Sequence, residues 1–189
     1  MNGKLPIYFD MDGVLVDLDK FFRDRYGEHD KDLDRVRVDA DMHTIAPTHV
    51  FRTLDPMPDF HHMRLLMSFL KGLGYTVNIL SSVTEHEYRT ILEEDKRIWL
   101  NDHQLWENGS CCDSHYFVPG SVHKGRYAPG LLIDAWHRAG LAFSQQPGGY
   151  WIKHTSFVDT YLQLYSLFPS QSLPSLEWWM ANMSEKTSS

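Results

Sequence analysis

Cysteine is almost absent from the chain: there are two, Cys111 and Cys112, and they are adjacent. Neighbouring cysteines could close only a strained ring, so both are expected as free thiols. That leaves no disulfide framework and fits a reducing compartment. Long apolar runs are also missing. No stretch approaches the roughly 20 residues that a membrane span needs, and the apolar start of the chain is broken by Asp10 and Asp12 before it resembles a signal-peptide core. The expected location is the cytoplasm, with no membrane contact. Positive charge is scarce as well, with 18 Lys and Arg against 25 Asp and Glu and a formal net charge of −7. Tracking a long nucleic acid needs clustered cations, so the charge argues against that partner, whereas a small anion needs only a local positive site. Internal repeats and linker-like composition are lacking too. What is present is a chain of 189 residues, 42% hydrophobic and 13% aromatic, enough for one core with a modest insertion.

Residues 5–9 (LPIYF) form a short apolar run of strand formers that stops at Asp10, with Gly13 supplying a tight turn. Residues 14–26 have helical spacing through Leu15, Leu18, Phe22 and Tyr26, and Gly27 is a stop. Residues 28–58 are polar and irregular, with three prolines, and read as a small inserted element. Residues 59–73 carry an apolar face of Met63, Leu66, Met67 and Leu70, with Asp59 as N-cap and Gly72 and Gly74 as terminators. Strands follow at 75–80, 114–118, 130–133 and 150–152, and helices at 85–101, 156–168 and 174–183. Strand–helix alternation with continuous apolar strands predicts a parallel sheet buried on both faces. Three strands end in polar residues, at Asp10, Ser81 and Asp134. Ligands in such sheets bind beyond the carboxyl ends of the strands, so these three are expected to converge.

The strongest chemical signal is YFDMDGVL at residues 8–15, with two carboxylates one residue apart after a buried strand. A carboxylate can attack phosphorus, and a second carboxyl can protonate the leaving oxygen and then activate water. A calcium loop counted from Asp10 would need Gly at its sixth position and Glu at its twelfth, and the chain has Leu15 and Phe21 there. Hard oxygen donors beside a phosphate ester select Mg²⁺.

Residues 5–17 (LPIYFDMDGVLVD) resemble the first motif of the haloacid dehalogenase superfamily. The resemblance implies Asp10 as nucleophile and metal ligand, and Asp12 as general acid/base with its carbonyl on the metal. The remaining motifs occur in order. YTVNILSS at 75–82 implies Ser81, with Ser82, as phosphate-binding residues. Lys124 implies the neutralising cation, with Arg126 as the alternative. LLID at 131–134 implies Asp134 as a metal ligand. The implied fold is an α/β, doubly wound, Rossmann-like core of residues 1–16 and 56–183. A small helical cap (17–55) follows the first strand, and 184–189 form a tail.

Residues 51–82 and 123–134 further resemble the 5'(3')-deoxyribonucleotidases, implying a nucleoside monophosphate substrate, with Phe21, Phe22 and Phe51 of the cap as base-packing candidates. Apolar helix residues more often pack a cap's own core. One position departs from that pattern: Ala135 stands where the nucleotidases carry a second acid, and Asp113 or Asp159 could substitute only from elsewhere. Two other readings stay open, a phosphatase for another small ester such as a sugar phosphate, and a nucleotide-binding protein with weakened catalysis. His137 is close enough in sequence to Asp134 to approach the site. Trp178 and Trp179 either dock the last helix on the core or join two copies in a homodimer, with docking preferred.

Overall fold

The computed structural model describes residues 4–27, 44–84, 87–107, 111–168 and 173–183. Five strands form one all-parallel sheet: β1 (Ile7–Phe9), β2 (Val77–Val83), β3 (Ser114–Pro119), β4 (Gly130–Asp134) and β5 (Gly149–Lys153). Their order is β3-β2-β1-β4-β5, so the winding reverses between β1 and β4. Both central strands are buried along their whole length, which explains their unbroken apolar sequences.

Alternate side chains feed two packed layers. Ile7, Phe9, Val77, Ile79, Leu131 and Ile133 face the larger core. It is filled by α2 (Phe60–Gly72), α3 (Arg89–Asp102), α5 (Phe157–Leu167) and α6 (Leu176–Met183). Tyr8, Leu80 and Leu132 face the smaller one with Phe143 of α4 (His137–Ser144). The fold is therefore α/β and Rossmann-like, with helices on both faces. Among the described residues, no helix is long and apolar enough to cross a membrane.

Several boundaries differ from the sequence expectation, each for a local reason. Helix α1 spans Leu18–Tyr26 rather than starting at Val14. The amides of Val14, Leu15 and Val16 all turn back onto the Met11 carbonyl, so this stretch is a tight buried loop. Asp17 then caps the helix by accepting from Lys20 N at 2.8 Å, and Gly27 ends it with φ +73°. Strand β2 continues through Ser81 and Ser82 to Val83, because β3 pairs with it as far as Pro119. Helix α3 starts at Arg89 rather than 85. Asp59 stands at the N-cap position of α2 without a capping bond, and its carboxylate lies 3.6 Å from His154 Nε2 instead.

The segment between β1 and α2 leaves the core after Val16 and returns at Pro56. Its root is closed by Asp17 N to Asp55 O and by Met57 N to Leu15 O, both 2.8 Å. Its described parts are α1 and two 3₁₀ turns, Ala46–Thr48 and Val50–Thr53; residues 28–43 of the expected cap lie outside the described residues, as does the tail at 184–189. Trp179 docks on the core against Phe69, Phe157 and Tyr161, while Trp178 is exposed.

Candidate active site

The reversal between β1 and β4 brings two acids side by side. Phe9 pairs with Ile133, and the Asp10 amide donates to the Ile133 carbonyl at 3.0 Å. Asp10 and Asp134 thus leave adjacent strand ends at the crevice where α/β sheets bind ligands. Lys124 lies between them, with Nζ 2.8 Å from Asp10 Oδ2 and 2.6 Å from Asp134 Oδ2. All three are buried, at 1% side-chain exposure for Lys124, 6% for Asp10 and 0% for Asp134. Lys124 is carried by a 3₁₀ segment, Ser121–Tyr127, that packs against α4. Gly125 fits there because an added Cβ would come within 2.6 Å of the Ala142 carbonyl.

The other oxygens are taken by backbone amides: Met11 N donates to Asp10 Oδ1 at 2.8 Å, and Trp136 N donates to Asp134 Oδ1 at 2.7 Å. Burial and the nearby Asp10 charge push the Asp134 carboxyl up to about 7, against the pull of Lys124 and the Trp136 amide. Burial opposes the charge on Lys124, yet the two carboxylates outweigh it and the net direction is up.

A second group was missed in the sequence. Lys96, buried on α3, donates to Asp12 Oδ2 at 2.7 Å, Ser81 Oγ at 2.9 Å and the Ser82 carbonyl at 3.1 Å. One ammonium therefore gathers the first and second motifs. The signal was available: positions 95 and 96 fall on the same helical face as Leu92, Trp99 and Leu100, so two charged residues interrupt an otherwise apolar stripe. Burial, followed by the charge of Asp10, raises the Asp12 carboxyl, with Lys96 pulling the other way. Asp12 Oδ1 is buried with no partner.

Ser81 is buried with its hydroxyl accepting from Lys96, whereas Ser82 contributes its carbonyl. Strand alternation sends the Ser82 side chain to the opposite face. Phe51 is brought to the site, its ring centroid 5.4 Å from Lys96 Nζ. Phe22 is buried in α1 against Phe21 and Tyr26, and Phe21 packs on the large core. Phe51 is itself a buried member of that large core. His137 is exposed and sets its ring against Trp151.

Neither suggested replacement for the missing second acid stands here. Asp113 accepts from Val77 N at the opposite, amino end of β2, and Asp159 accepts from Thr155 and Ser156 at the start of α5. Ala135 places its methyl 3.2 Å from where a Cβ on Gly13 would stand, and Gly13 has φ +76°. Cys111 and Cys112 are buried free thiols, and burial pushes Cys112 up to about 12, which suppresses the thiolate.

Oxygen donors, an orphaned Asp12 oxygen and two carboxyls raised by burial and by the Asp10 charge fit a hard divalent cation. Among the described residues, no three His, Cys, Asp or Glu side chains form a ready-made cage. The fit is to an ion that keeps water and substrate oxygens among its ligands, as Mg²⁺ does. Neither a protein-family model nor a curated protein sequence matches this chain.

Proposed function

We propose that the protein is a phosphomonoesterase of the haloacid dehalogenase type that transfers a phosphoryl group to Asp10. The single observation that carries this reading is the pairing of Asp10 and Asp134 through Lys124 at the strand reversal, one loop away from the Asp12–Lys96–Ser81 group. Three acids and two lysines packed together at a sheet crevice are costly to a fold, and such clusters mark chemistry.

The reaction runs in two displacements. An Asp10 carboxylate oxygen attacks phosphorus and the bond to the ester oxygen breaks. Asp12, whose raised proton affinity keeps it protonated further toward neutral pH, gives its proton to the departing alkoxide. Water then attacks the aspartyl-phosphate, Asp12 takes the proton, and inorganic phosphate leaves with Asp10 restored. Lys96, Lys124 and the Ser81 hydroxyl bind the phosphate oxygens. Asp10, Asp134 and the Asp12 backbone carbonyl would hold Mg²⁺, which when bound offsets the charge of phosphate against carboxylate.

The substrate class we propose is the nucleoside monophosphates, deoxy ones first, as in the 5'(3')-deoxyribonucleotidases. Phe51, a core residue whose ring lies 5.4 Å from Lys96 Nζ, is the cap aromatic on which this substrate reading leans. The segment of residues 17–55 acts as the cap. Phosphate release from deoxynucleoside monophosphates, ribonucleotides and sugar phosphates, with Mg²⁺ and an Asp10→Asn control, tests the proposal. Asp10-dependent release favouring the deoxynucleotides is expected. Release favouring sugar phosphates would keep the chemistry and change the substrate. Phosphate binding without any release would favour a nucleotide-binding protein weakened by Ala135.

A further inference from the structure

Asp95 is fully buried on α3 beside Lys96, and the mechanism above does not use it. Its Oδ1 accepts from Arg52 Nε at 2.6 Å and from His49 Nδ1 at 2.9 Å, while Oδ2 is buried with no partner. Both donors belong to the returning limb of the segment between β1 and α2. The same limb lays Phe51 against Lys96 and gives the Leu54 carbonyl to Trp99 Nε1 at 2.9 Å. His49 holds φ +57°, an uncommon conformation for a non-glycine residue that persists only when its surroundings enforce it.

Burial alone does not account for an acid here. Asp95 shares its helical face with Leu92 and Trp99, and apolar groups in place of a buried ion pair are commonly neutral or stabilising. What the acid adds is placement: charge-assisted bonds fix the limb at one register on the helix. One residue along that helix, Lys96 makes three bonds that join the loop after β1 to the end of β2.

We propose that Asp95 is a positioning residue: by gripping His49 and Arg52 it holds Phe51 over Lys96 and keeps that ammonium aimed at Asp12 and Ser81. The claim about geometry is independent of the enzyme; only its consequence for phosphate rests on the proposed function.

Competitive acetylation of lysines in the full chain, read by mass spectrometry, tests the geometry. Asp95→Asn, and separately Arg52→Gln, should raise Lys96 labelling about tenfold, the factor expected for losing one charge-assisted hydrogen bond. Lys124, equally buried but off this limb, should stay protected, which excludes general unfolding. Titration with inorganic phosphate tests the consequence. Asp95→Asn should weaken binding in the otherwise natural chain and add nothing in a Lys96→Met background, because a residue acting through Lys96 has no effect without it. Lys96 labelling unchanged in both folded variants would overturn the proposal, and so would additive losses of phosphate affinity. A natural chain that binds no phosphate would overturn the functional reading instead, and the labelling alone would then decide the role of Asp95.

Discussion

The two ends of the sheet handle charge in opposite ways. At the amino end, Asp113 and Lys71 pair at 3.0 Å with each side chain 36% exposed, and Asp113 also closes the start of β2 through Val77 N. At the carboxyl end, Lys124, Asp10 and Asp134 are sealed from water, and Lys96 is buried against Asp12. An exposed pair is solvated whether or not it forms, so it adds little and costs little. A sealed cluster loses its hydration and recovers it only through mutual contacts. The strands would pair equally well with apolar residues at those ends. The difference teaches that the carboxyl end carries a desolvation cost that the amino end avoids, a cost the proposed phosphoryl transfer would account for.

That comparison can be broken by substitution. The largest expected effect is on turnover: Asp12→Asn should lower phosphate release by about 10²–10⁴-fold, the range for removing a positioned acid/base. Its melting temperature should also fall, because the buried Lys96 ammonium loses the carboxylate that pairs with it at 2.7 Å. Next comes Lys124→Met, which strands Asp10 and Asp134 without their counter-ion and should cost about 3–5 kcal/mol in urea unfolding. A cost near zero there would remove the distinction between the two ends.

The pH dependence gives a smaller effect of definite sign. Asp134 rises from 3.8 to about 7 on folding, so the folded state binds more protons between those values. Its contribution to stability is fully present below about pH 4 and is lost as pH rises through about 7. The metal-free chain should therefore lose stability over that window relative to Asp134→Asn, compared by denaturant midpoints across pH. The smallest effect belongs to the amino end, where Lys71→Met should change stability by about 1 kcal/mol or less.

Much of this arrangement was legible in the sequence, because the strands that place the site are short, apolar and buried on both faces. Asp10, Ser81 and Asp134 were readable as the polar ends of strands that a parallel sheet brings to one edge, while Lys124 came only from the family resemblance. Lys96 showed only as a charge within the apolar stripe of α3, and its destination did not, since it lies far along the chain from Asp12 and meets it only through tertiary packing. Asp95 was hidden for the same reason, its partners being 43 and 46 residues away. The start of α1 was misread because Val14 and Leu15 carry an apolar helical pattern, yet their amides serve the Met11 carbonyl in the motif loop. Phe21, Phe22 and Phe51 were offered by the resemblance as cap aromatics, and all three pack apolar surroundings, with Phe51 also lying over Lys96.

The central claim is that Asp10 accepts the phosphoryl group. Acid-quenched turnover of a radiolabelled deoxynucleoside monophosphate with Mg²⁺, followed by peptide mapping, tests it most directly. The account predicts acid-stable label on the peptide carrying Asp10, and none in Asp10→Asn. Phosphate released at full rate by the Asp10→Asn variant, with no labelled peptide in either protein, would contradict it.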